Sequence, residues 1–260
     1  MTMDVAKYNS AAWDKQVDAS NRWTQPVDAE TIDAARRGDW QIVLTPVKPI
    51  PNDWLGDVKG KDILCLASGG GQQAPVLAAA GANITVFDNS AKQLEQDRLV
   101  ARNALLHIRI EKGDAADLSR FENESFDVVV NPCSNCFMPE LQPVWDECYR
   151  VLRRGGGLLV GFCKPEVFIF DRTMEEKNGV LAVRHSLPYS DQRSLTDEEL
   201  QQMIRKGEPL EFSHTLEEQI GGQLGAGFQI SGLYEDYWGE PTSLFDQYMP
   251  AFIATRALKP

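Results

Sequence analysis

From residue 61 onward, short apolar runs alternate with longer segments in which apolar residues recur every three or four positions. Short runs of this kind predict buried strands, and the helical spacing predicts amphipathic helices. Strands are predicted at residues 62–67, 83–87, 107–110, 126–130, 158–163, 228–234 and 251–258. This alternation is typical of an α/β fold.

The predicted helices lie mainly between these strands. They are expected at residues 72–81, 90–103, 141–154, 196–205 and 215–226, with a helix-like stretch at 242–249. The clearest apolar stripe, in the third of them, joins Leu141, Val144, Trp145, Cys148, Tyr149 and Leu152, and the glycines at 155–157 are expected to end that helix. Ser90 with Gln93, and Thr215 with Glu218, have the spacing of a capping box. A strand connection that contains a helix is a parallel crossover, so the first five strands are expected to be parallel.

Two regions depart from the α/β alternation. Residues 1–60 carry four tryptophans among proline-containing turns, and residues 164–212 form a polar insertion with its own capped helix. In an open parallel sheet a ligand sits outside the carboxyl ends of the strands. We therefore expect an N-terminal segment (1–60) that covers the site, followed by one domain (61–260) whose insertion at 164–212 acts as a substrate lid.

Composition and charge narrow the class of protein. The chain has 260 residues, 43% of them hydrophobic, with no apolar run long enough for a membrane helix and no signal-peptide pattern at the N-terminus. We expect a soluble cytoplasmic protein that does not bind a membrane. The net charge of −12 makes nucleic acid an unfavourable partner and favours a small molecule. The basic cluster at 150–154 falls at a predicted helix end, which favours a structural role.

The five cysteines predict reduced thiols. Their number is odd, and Cys65 and Cys163 fall in predicted buried strands, which argues against a disulfide framework. Cys133 and Cys136 have the spacing of half a zinc site, but the sequence offers no second pair and no nearby histidine. No metal site is therefore predicted, and a free thiol near the ligand is the favoured interpretation.

Glycines and acids follow the first three strands. Gly69, Gly70 and Gly71 follow a strand and open a helix, where backbone amides can approach a ligand; a tight turn without a ligand is the alternative. Asp88 ends the second strand and can accept hydrogen bonds from both hydroxyls of a ribose, or it can serve as a helix cap. Asp114 follows the third strand and can accept from an adenine amine, or it can be a solvated loop acid.

These residues resemble the class I S-adenosylmethionine (SAM)-dependent methyltransferases, in particular the type 11 methyltransferase domain. The resemblance covers about residues 61–165, and its five elements are 63–71 (ILCLASGGG), 86–90 (VFDNS), 113–115 (GDA), 126–132 (FDVVVNP) and 150–157 (RVLRRGGG). It departs from the family at Cys65, where an acid is expected, and at Ala67, where the first glycine is expected.

The resemblance implies a Rossmann-like seven-stranded sheet of order 3-2-1-4-5-7-6 with the last strand antiparallel, and it implies SAM as cofactor with S-adenosylhomocysteine as product. Asp88 would bind the ribose, Asp114 with Ala115 the adenine, and Asn131 would lie beside the methionine portion. The full set of predicted cofactor-binding residues is Ala67, Ser68, Gly69, Gly70, Gly71, Gln73, Asp88, Asn89, Asp114, Ala115 and Asn131. Gln72 can add an amide, and Trp13, Arg22 and Trp23 are candidates to complete the site from the N-terminal segment.

The sequence does not identify the methyl acceptor. His185 and His214 are the available general bases, with surface histidines as the alternative for each. Asn131-Pro132 matches half of a motif by which some amino-methyltransferases hold a planar nitrogen, and a rigid strand-end turn is its alternative interpretation. An NAD(P)-dependent oxidoreductase and a non-catalytic SAM- or nucleotide-binding protein remain the alternative functions.

Overall fold

The computed structural model describes residues 3–239 and 243–260 and contains one seven-stranded sheet. Its strands are β1 (Asp62–Leu66), β2 (Asn83–Asp88), β3 (Ile108–Lys112), β4 (Phe126–Asn131), β5 (Leu152–Cys163), β6 (Gln229–Asp236) and β7 (Phe252–Leu258). The order is β3-β2-β1-β4-β5-β7-β6. The first five strands are parallel, and β7 pairs antiparallel with both β5 and β6. The predicted fold and strand order are confirmed.

Helices cover both faces of this sheet. In chain order they are α1 (Val5–Asp18), α2 (Ala29–Arg36), α3 (Asn52–Leu55), α4 (Gln73–Ala79), α5 (Ala91–Ala104), α6 (Gln142–Val151), α7 (Arg172–Asn178), α8 (Asp191–Ser194), α9 (Asp197–Lys206) and α10 (Gly222–Gly225). Side chains of α2, α4 and α5 pack in one core with Ile63 and Cys65 of β1. Leu64 and Leu66 face the other core, with Trp145 of α6. Because successive side chains of a strand point to opposite faces, β1 contributes to both cores.

The junction between α6 and β5 differs from the prediction. The apolar stripe of α6 is buried as expected, with Tyr149 only partly so. The helix, however, ends at Val151 rather than at the glycines, because Leu152 is already extended and pairs with Phe126 of β4. The three glycines lie inside β5, where the Gly155 amide donates to the carbonyl of Lys259 (2.7 Å).

Two other helical predictions need correction. Of the stretch at 242–249, only a 3₁₀ turn at Phe245–Gln247 forms, and residue 242 lies outside the described residues. Pro250 follows directly and disfavours helical backbone at the residue before it. The segment after Thr215 has its predicted capping box, but it begins as a π turn at Glu217–Gly221 before α10. There the Trp145 indole donates to the Glu218 carbonyl (3.0 Å), and such a side-chain contact with the backbone ladder of a helix commonly accompanies a π turn.

The basic cluster at the end of α6 is structural. Arg150 pairs with Glu147 (2.7 Å), and Arg153 pairs with Asp62 and Asp127 (2.9 Å each). The two Arg153 pairs tie the starts of β1 and β4 to the start of β5. None of the helices within residues 3–239 and 243–260 is long and apolar enough to cross a membrane.

Candidate active site

The turn after β1 presents its backbone amides to two carboxylates. The Gly69 amide donates to Oδ2 of Asp88 (3.0 Å), and the Gly70 amide donates to Oδ2 of Asp97 (3.0 Å). Asp88 ends β2 and Asp97 lies in α5, so acids from two elements hold the turn. The turn therefore has a fixed shape at the carboxyl edge of the sheet.

Glycine is required in this turn for reasons of space and backbone conformation. A Cβ at Gly69 would lie 2.8 Å from Cβ of Gln93 and 3.1 Å from Cγ of Asp88. Gly70 and Gly71 have positive φ, as does Ala67 (φ 45°). Ala67 therefore adopts a left-handed conformation, which costs a residue with a Cβ roughly 1–2 kcal/mol. Its amide donates to the Phe87 carbonyl (2.8 Å).

Asp88 combines a backbone-capping contact with exposure to the site. Its Oδ1 accepts from the Ser90 amide (2.8 Å), while the Ser90 side chain caps α5 by accepting from Gln93. The reciprocal half of the predicted capping box is not formed, since Gln93 Oε1 is buried without a partner. Burial raises the pKa of Asp88, and hydrogen bonds from the Ser90 and Gly69 amides oppose that rise.

A cavity of about 1270 Å³ opens at this edge of the sheet. Its lining includes eight of the predicted cofactor-binding residues, which are Ala67, Ser68, Gly69, Gln73, Asp88, Asn89, Asp114 and Ala115. Gly70, Gly71 and Asn131 lie outside the lining. Gln93, which the sequence did not single out, also lines it.

Asn131 is fully buried and joins two strands. Its Nδ2 donates to the Leu66 carbonyl (3.0 Å) and to the Ser134 hydroxyl (2.9 Å). These contacts connect the end of β4 to the end of β1, in keeping with the rigid strand-end turn that the sequence left open. Asp114, by contrast, is exposed and accepts from the Ala116 amide (3.0 Å) while it lines the cavity.

The N-terminal segment is fastened to the glycine turn. The Val27 amide donates to the Gly71 carbonyl (2.9 Å), and the Gln72 side chain donates to the Gln25 carbonyl (3.0 Å). Trp13 and Trp23 line the cavity, and the Arg22 guanidinium lies 4.1 Å from the Trp23 ring centroid.

Three cysteines line another part of the cavity. Sγ of Cys133 lies 3.5 Å from Sγ of Cys163, and Cys163 is only half-buried because it ends β5 at the cavity. Hydrogen bonds from the thiols of Cys136 and Cys163 lower the pKa of Cys133. Among the described residues, no group of three or more His, Cys, Asp or Glu side chains is arranged to hold a metal ion.

The two candidate histidines have different surroundings. His185 lines the cavity, with its ring 5.0 Å from that of Tyr189, and partial burial lowers its pKa. His214 is buried outside the cavity lining, and its Nε2 lies 2.8 Å from the Met138 carbonyl oxygen. Burial also lowers the pKa of His214. Of the two histidines, the structure brings only His185 to the site.

Asp97 is the main site residue that the sequence analysis missed. It is fully buried, its Oδ1 has no partner, and burial raises its pKa to about 7. Its negative charge also contributes, after burial, to the raised pKa of Cys65. One signal was present in the sequence, because Asp97 interrupts the apolar stripe formed by Leu94 and Val100 of α5.

Comparison with known proteins gives a consistent result. A family model described as a methyltransferase domain matches residues 64–160. An uncharacterised methyltransferase of Bacillus subtilis (strain 168), YbaJ, is 50% identical over 255 residues, which cover 98% of each chain. A solved SAM-dependent methyltransferase of Mesorhizobium loti covers 80% of this chain and 94% of its own, with 16% identity and a TM-score of 0.63. Another, from Methanosarcina mazei, covers 82% and 98% with 18% identity and a TM-score of 0.55.

The glycine turn, the acid at the end of β2 and the strand order define a class I Rossmann-like methyltransferase fold. The chain belongs to the SAM-dependent methyltransferases, and its similarity to the Bacillus subtilis protein extends over nearly its whole length. The classic dinucleotide-binding order, 3-2-1-4-5-6, has no antiparallel strand between its fifth and sixth strands. The oxidoreductase alternative is therefore not supported.

Proposed function

We propose that the protein binds SAM along the carboxyl ends of β1, β2 and β3 and transfers its methyl group to a small molecule held in the rest of the cavity. The observation that carries this proposal is the Asp88 carboxylate, fixed by the Gly69 amide at the edge of the cavity (3.0 Å). A fixed carboxylate beside a glycine turn suits the two hydroxyls of a ribose.

The other polar groups suit the remaining parts of SAM. Asp114 and Ala115 border the cavity beyond β3, in keeping with an adenine site there. Ser68, Gln73 and Gln93 border the cavity and offer hydroxyl and amide groups, which can donate to or accept from the amino-acid part of SAM. This donor and acceptor set fits SAM. Asn131, which lies outside the lining, would act through the Leu66 carbonyl.

Cavity size supports a second, small ligand. Sites for single drug-sized molecules are roughly 300–1,000 Å³, and the cavity here is about 1270 Å³. The net charge of −12 disfavours a nucleic-acid acceptor. A small-molecule acceptor beside the methyl donor is consistent with both observations.

We propose that residues 1–60 and the insertion at 164–212 form the cover of this cavity. Trp13 and Trp23 border it from the first segment, and Phe168 and Tyr189 border it from the second. SAM supplies a methyl group on a positively charged sulfur that leaves neutral, so the protein's task is mainly to orient the acceptor and exclude water. An aromatic cover serves both needs.

His185 is the proposed proton acceptor for an acceptor that must lose a proton. It borders the cavity, and its lowered pKa keeps the ring neutral, and so able to accept a proton, at pH 7. We further propose a cytoplasmic location, because the five cysteines are free thiols, as expected in a reducing compartment.

Calorimetric titration with S-adenosylhomocysteine, NAD(H) and NADP(H) tests the proposal. We expect micromolar binding of S-adenosylhomocysteine alone, weakened at least roughly tenfold by Asp88→Ala, because hydrogen bonds to a charged group are among the stronger ones. Asp114→Ala should weaken it, whereas Asp117→Ala, on the same loop but outside the cavity lining, should not. No binding, or preference for a nicotinamide cofactor, would refute the proposal. Binding without turnover over a broad acceptor screen would favour a non-catalytic binding protein.

A further inference from the structure

Asp97 is an unusual group to find beneath a ligand-binding turn. It belongs to α5, whose exposed acid Glu95 pairs with Arg98 and Arg102 in the ordinary way. Asp97 itself is fully buried and lies behind the turn, outside the cavity lining. An ionised carboxylate in this position carries a large desolvation cost unless hydrogen bonds stabilise it.

The contacts of Asp97 are almost entirely with the turn. Its Oδ2 accepts from the Gly70 amide (3.0 Å), and the Gly71 amide also stabilises its charge. Its Oδ1 has no partner. Asp88 accepts from the adjacent Gly69 amide (3.0 Å). Two carboxylates thus hold consecutive amides of the same turn, although their like charges repel.

We propose that Asp97 is a positioning residue, whose ionised carboxylate fixes the glycine turn from behind in the form that accepts SAM. This inference rests on the proposed function. Asp97 acts through Gly70 and the neighbouring Gly69, which borders the cavity. When the turn is held in place before the ligand arrives, less conformational freedom is lost on binding.

The position of Cys65 gives a direct way to test this role. Cys65 is the second-to-last residue of β1, two positions before Ala67, and is close enough to Asp97 for the charge of the aspartate to raise the pKa of the thiol. It is fully buried in the same core as Leu94 of α5. A carboxylate placed at residue 65 would approach the turn from the strand rather than from the helix. The double variant Cys65→Asp/Asp97→Ala therefore moves the buried carboxylate from α5 to β1.

The experiment compares S-adenosylhomocysteine affinity by calorimetry in the full-length protein and its variants. Asp97→Asn keeps the size and one acceptor oxygen but removes the charge, and we expect binding at least roughly tenfold weaker. Asp97→Ala should be weaker still, and Cys65→Asp/Asp97→Ala should recover most of the affinity. Glu95→Gln, on the exposed side of the same helix, should bind as the wild type does. Thermal unfolding without ligand identifies any variant that fails to fold.

A pH series separates positioning by charge from simple packing. The ionisable groups on neighbouring elements whose charges interact with Asp97 are Asp88 at the end of β2 and Cys65 in β1. Wild-type affinity should rise with pH through about 7, as Asp97 ionises, and Asp97→Asn should lack that rise. Unchanged affinity in Asp97→Asn, with the same pH profile as the wild type, would overturn the positioning role alone. If the wild type binds no S-adenosylhomocysteine at any pH, the proposed function fails with it.

Discussion

At the scale of single residues, the sequence was informative where a residue type has few structural uses. Glycines between a strand and a helix, followed by an acid at the end of the next strand, led to the prediction of both as cofactor-binding residues, and in the structure the Gly69 amide lies 3.0 Å from Asp88. Asp97 was not predicted because its role depends on the packing of α5 beneath the turn. Asn131 looked like a ligand-side residue, and its hydrogen bonds to Leu66 and Ser134 emerge only from the fold.

The first residue-scale prediction concerns Gly69. A methyl group there would meet Gln93 and Asp88 at 2.8 and 3.1 Å, so Gly69→Ala must displace one of them. We expect a loss of stability of about 1–3 kcal/mol, typical of overpacking, together with weaker S-adenosylhomocysteine binding. The control is Gly225→Ala, where nothing lies within 4 Å of the added carbon. If the two variants have the same thermal stability and the same affinity for S-adenosylhomocysteine, the turn does not require glycine at residue 69.

A second prediction ranks the cysteines by reactivity. Neighbouring thiols lower the pKa of Cys133, which is half-buried at the cavity, whereas burial raises the pKa of Cys65 and Cys148. Because the thiolate is the nucleophile, limiting iodoacetamide at pH 7 should label Cys133 first and the other two last. Peptide mass spectrometry gives the order, and S-adenosylhomocysteine should slow labelling of Cys133 at its cavity position. Early modification of Cys65 would show that this part of the core is open to solvent.

At the scale of elements, strand positions were predictable because buried parallel strands are continuous apolar runs. Helix ends were less so, since the glycines at 155–157 end no helix and instead lie in β5. The role of α1 was not predictable at all, because its partners are far away in the sequence. Its buried Asn9 exchanges hydrogen bonds with the backbone of Leu210, in the insertion, and donates to the Phe137 carbonyl after β4.

This arrangement makes α1 a connection between the insertion and the segment after β4. Asn9→Ala removes three hydrogen bonds of 2.8–3.0 Å and leaves buried backbone groups unpaired. We expect a loss of roughly 1–3 kcal/mol per group left unsatisfied, before relaxation and water entry reduce the total. Hydrogen exchange should accelerate in α1 and around Leu210. Lys7→Ala, on the exposed side of α1, should change neither the stability nor the exchange rates. If Asn9→Ala accelerates exchange in α1 but not around Leu210, α1 does not connect the two regions.

At the scale of the whole molecule, the sheet order was predicted by resemblance rather than by the local pattern. Short apolar runs do not state which strands are neighbours, so the insertion of β7 between β5 and β6 required knowledge of the family. The cover was inferred from the rule that ligands lie at the carboxyl ends of parallel strands. The contact of the N-terminal segment with the turn through Val27 and Gly71, however, is a long-range backbone hydrogen bond (2.9 Å) that the hydrophobic pattern of the sequence does not predict.

The last prediction concerns the pH dependence of global stability. The pKa of Asp97 is about 7 in the folded protein against 3.8 for the free side chain, so between these values the folded state holds a proton that the unfolded chain has lost. Stability must therefore fall as pH rises across this window and level off above it. Relative to Asp97→Asn, which cannot titrate, the wild type should lose up to about 4 kcal/mol between pH 4 and 7, taking about 1.4 kcal/mol per pKa unit.

Urea unfolding of both proteins at a series of pH values measures this difference directly, since all other ionisable groups are shared. Parallel stability curves would show that Asp97 titrates normally and that its burial costs nothing. A difference that grows up to neutral pH would mean that the fold keeps, beneath its glycine turn, a charge that lowers its stability at the pH where binding is strongest. Such a cost is expected of a group retained for positioning rather than for stability, because a neutral residue of similar size would fold more stably.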